Sequence, residues 1–243
     1  MTNPYLLLWF EAPLQSWGAD SKFGRRDTLN FPTKSGVLGL VCSALGAGGE
    51  QVALLAEFSS LDMTAISYNK MNVRNQRRDR EPLLRDFQMV GSGYEDKDPW
   101  QSLLIPKTAD GKKAVGGGSK MTYRYYLQDA FFAVLLEVPI HRSDAIVDAL
   151  QNPMWDIYLG RKTCIPTEFV YQGLFDTSEL AQQKAESLAN HKKLQEDFRV
   201  LQGEHDGDET FTLNDVPIQF GTHKKYRDRQ VTLIIKVEDD VSE

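Results

Sequence analysis

Several things are scarce in this chain. Two cysteines among 243 residues, Cys42 and Cys164, stand alone, which excludes a disulfide framework and any Cys-x-x-Cys metal motif. Four histidines share no spacing that sets two imidazoles on one ion, so neither a metal nor another cofactor is expected. No apolar run approaches the roughly 20 residues of a membrane helix. The longest, Ala130 to Val138, is interrupted by Glu137 and has the length of a strand. The N-terminus lacks the basic region and small-residue cleavage site of a secretory signal. Leu6 to Phe10 is apolar, but Glu11 and Pro13 follow at once, so it reads as a first strand. A reducing cytoplasm, away from membranes, is the expected setting.

Positive charge is also short: the net charge is −6. Its distribution is uneven. Asp176 to Asp215 holds Lys184, Lys192, Lys193 and Arg199 against ten carboxylates. Lys70 to Arg85 holds Lys70, Arg74, Arg77, Arg78, Arg80 and Arg85 against only Asp79 and Glu81. A polyanion responds to the local patch, so the global sum does not exclude a nucleic-acid partner. On the same ground, the acidic C-terminal third is expected to face protein or solvent.

Thr33 is placed to cap a helix with Val37, Leu38, Val41 and Leu45 on its apolar face, ended by Gly46, Gly48 and Gly49. A short helix over Val52 to Phe58 and a strand over Met63 to Asn69 follow. Asn69 to Asp129 is basic, aromatic and glycine-rich, with Gly91-Ser92-Gly93 and Gly116-Gly117-Gly118, and has no helical period. About 60 residues without a core pattern mark a functional excursion or a disordered segment. Leu84 to Val90 and Met121 to Leu127 alternate, as the two arms of a protruding β-ribbon would. Beyond them come a strand at Ala130 to Val138, a helix capped by Ser143, a strand at Phe169 to Phe175 and an amphipathic helix from Thr177 to about Lys193. Phe198 to Gln202, Thr210 to Leu213 and Gln230 to Val237 are later strands.

This order is the β-α-β-β-α-β pattern of a ferredoxin-like domain. The expected class is α+β. A ferredoxin-like, RRM-like domain spans residues 1–175, carries a β-ribbon thumb insertion over about 70–128, and is followed by a C-terminal β-rich extension with a helix over 176–243. Two helices on one face leave the other face of such a sheet free, and many RNA-binding modules use that face.

Four segments carry a resemblance. They are Ala12-Pro13-Leu14-Gln15-Ser16-Trp17-Gly18; Phe31-Pro32-Thr33-Lys34-Ser35-Gly36 with Leu38-Gly39-Leu40; Leu84-Arg85-Asp86-Phe87 answered by Arg124 to Phe132; and Tyr158 to Cys164 with Gly173 beyond. In this order they resemble the fifth family of CRISPR-associated proteins, a branch of the RAMP superfamily, from about Leu6 to Phe175. The resemblance implies a non-catalytic, RNA-binding subunit of a type I-E Cascade surveillance complex. Such a subunit holds the 5′ handle of the crRNA, contacts the Cascade backbone and large subunits, and meets target DNA only within the assembled complex. Its thumb reaches over the guide, while base pairing reads the target.

Each candidate RNA-binding residue has a second reading. Thr33, Lys34, Ser35 and Gly36 open a helix, where free N–H groups and the dipole favour phosphate, or they merely cap it; the resemblance favours phosphate. Gln15 and Trp17 flank the same strand end, and Trp17 either stacks on a base or packs in the core. Arg25 and Arg26 suit phosphate or simple solvation. Arg74, Arg77, Arg78 and Arg80 form a basic cluster that contacts RNA or solubilises the surface. On a strand, Arg124 and Tyr126 share one face and Tyr123 and Tyr125 the other; the Arg124 pair is the one expected to meet RNA. Gly160, Arg161 and Lys162 make a backbone-hugging loop or a plain turn. His223-Lys224-Lys225-Tyr226 is the one local cluster with the groups for metal-independent RNA cleavage, so an endoribonuclease that processes repeat RNA is an alternative. An RRM-like RNA-binding protein outside CRISPR is another, and a purely structural subunit a third.

Overall fold

The computed structural model describes residues 2–18, 24–74, 76–90, 107–108, 110–112 and 120–236. The two glycine runs of the insertion, at 91–93 and 116–118, lie outside these residues.

The first strand, β1 (Tyr5–Gln15), is longer than its apolar run suggests and continues through Pro13. Its side chains alternate: Leu6, Leu8 and Phe10 enter one core, Leu7 and Trp9 another. Two-residue strands β2 (Trp17–Gly18), β3 (Arg25–Arg26) and β4 (Thr28–Leu29) follow, and β2 pairs with β4. Helix α1 (Lys34–Ala44) starts as expected, with Thr33 Oγ1 accepting from the Gly36 N–H at 3.2 Å. Then come α2 (Val52–Phe58) and β5 (Met63–Lys70). The ribbon exists: β6 (Leu84–Val90) pairs antiparallel with the first half of β7 (Lys120–Glu137), from Leu84 opposite Tyr126 to Val90 opposite Lys120. The second half of β7 runs into the core, between β1 and β5. A 3-10 turn at Ile140–Arg142 leads to α3 (Ser143–Gln151), β8 (Tyr171–Phe175), α4 (Ser178–His191), β9 (Leu194–Gln202), β10 (Glu209–Gln219) and β11 (Lys225–Ile235).

Mixed α/β architecture results, on a mostly antiparallel sheet ordered β10-β11-β9-β5-β7-β1-β8, with β3 and β6 also on β7. The C-terminal strands extend the sheet from the edge of β5 through β9 and curl back, so that Val216 and Val231 join the core of α1. One feature differs from expectation: the second face is not free. Ala181, Ala185 and Ala189 of α4 lie on Leu7, Trp9, Ile66, Tyr68, Phe131 and Leu135. Alanines every four residues form one helix stripe, and their small side chains let the helix sit close to the sheet. A fully buried Leu or Phe contributes about 1.5–3 kcal/mol, which makes this covered face costly to expose. The free sheet face expected for RNA is therefore closed.

Candidate nucleic-acid interface

A groove of about 570 Å³ runs along α1. Its floor is the helix itself, where Ser35, Gly39 and Ser43 fall every four residues and therefore in one row. A Cβ added at Gly39 would meet nothing within 4 Å, so the missing side chain serves open space, not packing. One wall is the loop after α3, with Trp155, Tyr158, Gly160 and Arg161; a second holds Gly18, Arg26 and Asp27; the third is the β10–β11 turn, with Phe220, Gly221, Lys224 and Tyr226. Glycines allow a backbone to come close, aromatic faces accept stacked bases, and cations attract phosphate.

Gly160 is irreplaceable by geometry. Its φ is +99°, and a Cβ there would lie 1.7 Å from the Ser16 carbonyl oxygen. Beside it, the Ser16 N–H donates to Leu159 O at 3.1 Å, tying this loop to the end of β1. Arg161 completes the tie. Its guanidinium donates to Tyr125 O (3.0 Å) and Arg26 O (2.9 Å) and lies 4.7 Å over the Tyr126 ring. Thus Arg161 lines the groove while holding ribbon, β3 and loop together. Lys162 is exposed at the loop's tip.

Other expected contacts turn inward. Trp17 is fully buried, stacked on Phe10 at 5.1 Å, and donates to Gln15 Oε1 at 3.2 Å. Gln15 is equally buried and donates to Ala130 O at 2.7 Å. The core reading of Trp17 therefore holds, and Gln15 is its support. Tyr126 is buried beneath Arg161. Lys34 is buried too: its ammonium donates to Leu61 O and to Gln202 Oε1, the latter at 3.0 Å. Burial, reinforced by the nearby Arg229 charge, pushes its pKa down to about 8. The start of α1 already has an anion. Asp215 accepts from the Lys34 backbone N–H at 2.7 Å and forms a two-point pair with Arg229 at 2.7 and 2.9 Å. Thr33 is spent on its cap. The place expected for a phosphate at this helix end is taken by a carboxylate from the C-terminal third, while Ser35 and Gly36 line the groove.

The insertion's cations also divide. Arg77 donates to the carbonyls of Glu196, Asp197 and Lys236, and pairs with Asp197 at 3.5 Å. Arg80 lies between the Phe132 and Phe198 rings and donates to Asn30 O at 2.7 Å. Both staple the base of the ribbon to the sheet, so Arg77 is built into the fold where an RNA contact was expected. Arg74 sits exposed in a tight turn, and Arg78 is exposed beside Glu81 at 3.9 Å. Arg25 pairs with Asp27 at 2.8 Å and lies 4.8 Å over Tyr125. Arg124 is half-buried, in register with Arg26 on one side and Asp86 on the other. On the opposite ribbon face, Phe87, Met89, Met121 and Tyr123 are exposed. This face, and not that of Arg124 and Tyr126, holds the larger exposed apolar surface of the ribbon.

Sequence reasoning missed Trp155 and Phe220 as groove residues and weighed Lys224 and Tyr226 only as part of a cleavage cluster. A signal existed for three of them. Gln219 to Arg229 carries Lys224, Lys225, Arg227 and Arg229 against Asp228 alone, a basic window hidden by averaging with the acidic run before it. Among the described residues, no three His, Cys, Asp or Glu side chains converge as a metal site, and no helix is long and apolar enough to cross a membrane.

A family model described as CRISPR-associated protein (Cas_Cas5) matches residues 5–232. The chain belongs to this family. Its match includes the β10–β11 turn, beyond the segments that carry the sequence resemblance. The chain is 29% identical over 247 residues to the CRISPR system Cascade subunit CasD of Escherichia coli (strain K12), covering 98% of this chain and 99% of that one. A chain of a solved CRISPR RNA-guided surveillance complex is similar with a TM-score of 0.68 and 27% identity, covering 95% of this chain and 89% of that one. A solved Cas protein is similar with a TM-score of 0.57 and 26% identity, covering 96% and 94% respectively. So the match extends into the C-terminal third.

Proposed function

We propose that this chain is the subunit of a type I-E Cascade surveillance complex that holds the 5′ handle of the crRNA, and that it cuts nothing. The observation that carries the reading is the convergence on one groove of open glycines, aromatic faces and cations from three separated parts of the chain. Near full-length similarity to a Cascade subunit supports it. The ribbon, with its exposed Phe87 and Met89, is the part that meets the backbone subunit. The large subunit lies alongside, and target DNA arrives only in the assembled complex. The setting is the cytoplasm. The core supports a ferredoxin-like reading: β1, α1, β5, β7, α3 and β8 follow in that order along the chain, and their strands lie β8-β1-β7-β5, all antiparallel.

The test uses purified protein with end-labelled repeat RNA, on a denaturing gel and in salt-titrated filter binding. Binding that weakens with salt while the RNA stays intact is the expected result, with further weakening in an Arg26→Ala, Arg124→Ala double variant. Lys224 and Tyr226 line the groove beside His223, which gives the nuclease alternative its own arm. Metal-independent cleavage leaving a cyclic phosphate, and lost in His223→Ala, would make the chain a guide-processing nuclease.

A further inference from the structure

We infer that the turn between β10 and β11 is a gripping wall of the groove, contacting unpaired RNA through Phe220, Lys224 and Tyr226, with Asp215 as the positioning residue that holds this wall in place. The inference rests on the RNA-binding reading above and adds to it a contact surface from the acidic third of the chain.

Three observations carry it. First, the turn is seated on the end of the groove floor. Phe220 N–H donates to Glu50 O at 2.9 Å and Gln219 Nε2 to Glu50 Oε1 at 3.0 Å. Gly221, at φ +76°, lies against Gly49, where a Cβ would make ordinary contact 3.4 Å from the Gly49 carbonyl carbon. Second, the local charge is right: Lys224 and its neighbours make this turn basic within an acidic region, and Lys224 and Tyr226 face the groove. Third, the strands behind the turn are locked to the groove floor by one buried carboxylate. Asp215 is 4% exposed, and it joins the first N–H of α1 to Arg229 of β11. Arg229 reaches on to Gln202 Oε1 at 3.3 Å, the oxygen that also takes the Lys34 ammonium. Removing the Asp215 charge leaves Arg229 buried without its partner and frees α1 from the hairpin, so the wall loses its register with the floor.

The stacking and phosphate roles separate experimentally. The full chain is titrated with a fluorescein-labelled, unpaired repeat-derived RNA at several salt concentrations. Lys224→Ala is expected to weaken binding several-fold and to lower the salt slope by roughly 0.7, the value for one phosphate on a single strand. Tyr226→Leu is expected to weaken binding roughly fivefold or more, the lower range for one stacked base, with the slope unchanged. Asp215→Asn, checked for retained fold by circular dichroism, is expected to reproduce the Lys224→Ala loss. Combining the two should cost no more than Asp215→Asn alone, because the contact is already out of place. A merely structural Asp215 would give additive losses, and that result would remove its positioning role. Should Lys224→Ala and Tyr226→Leu bind like the wild type while Arg26→Ala binds weakly, the wall is refuted and the RNA-binding reading survives. If the wild type shows no salt-dependent binding, both fall. Lys224→Ala and Tyr226→Leu do not touch the buried lock, so they decide the matter even if Asp215→Asn fails to fold.

Discussion

The groove side and the α4 side of the sheet start from the same strands and end in opposite states. On the α4 side, Ala181, Ala185 and Ala189 close over Trp9 and Tyr68 and leave no apolar face for a ligand. On the groove side, small residues of α1 point the other way, and nothing fills the space above Gly39. Small residues in a helical row thus mean close packing in one place and an open floor in the other. What separates them is whether another layer of chain arrives. The lesson extends to charge. Lys34, Arg77 and Arg80 read in sequence like RNA contacts, yet protein carbonyls and aromatic rings satisfy them. Lys224, from the acidic third, lines the groove.

Four substitutions test this contrast. The largest effect is expected for Gly160→Ala, where left-handed backbone and a collision with Ser16 act together. A loss of about 3 kcal/mol or more, with loss of RNA binding, should appear in urea unfolding and filter binding; a loss below about 1 kcal/mol would mean the loop is not locked as described.

Next is the buried Lys34. Its folded pKa of about 8 lies below the ordinary 10.5, so between these values the unfolded chain holds the extra proton. Its charged form therefore costs stability below about pH 8, and that cost is relieved as the pH rises toward 10.5. Between pH 7 and 10 the wild type should gain on the order of 2–3 kcal/mol relative to Lys34→Met, read from urea midpoints. Parallel pH profiles would show that the ammonium is solvated.

On the sealed face, Ala185→Leu should cost about 1–3 kcal/mol by overpacking against the sheet, without a specific change in salt slope. An unchanged stability would reveal slack between α4 and the strands. The smallest stability effect, within about 0.5 kcal/mol, is expected for Arg124→Ala. Its signature is instead a shallower salt dependence of RNA binding, and an unaltered slope would remove Arg124 from the interface.

Much of the element order was legible because it rests on local rules. Thr33 caps α1, the alternating arms Leu84 to Val90 and Met121 to Leu127 pair, and Thr177 precedes an amphipathic helix. The covered second face has a local signature as well. Leu6 to Phe10 and Ala130 to Leu136 are apolar without alternation, whereas a strand with one wet face alternates. Gly160 and Arg161 line the groove, whereas Gln15, Trp17 and Lys34 are buried, because a side chain's direction at a strand or helix end depends on what packs there.

The sequence by itself determined the order of strands and helices and the lack of a disulfide framework, which follow from composition, period and caps, all properties of neighbouring residues; the family rested on four motif segments standing in order. Only the tertiary structure decided which cations are free for a ligand and which are consumed. It brought Asp215 and Arg229 onto the start of α1 and set Phe220, Lys224 and Tyr226 in one groove with Trp155 and Arg161. Those pairings join residues far apart in the chain, and a local pattern carries no information about where a curling sheet will return.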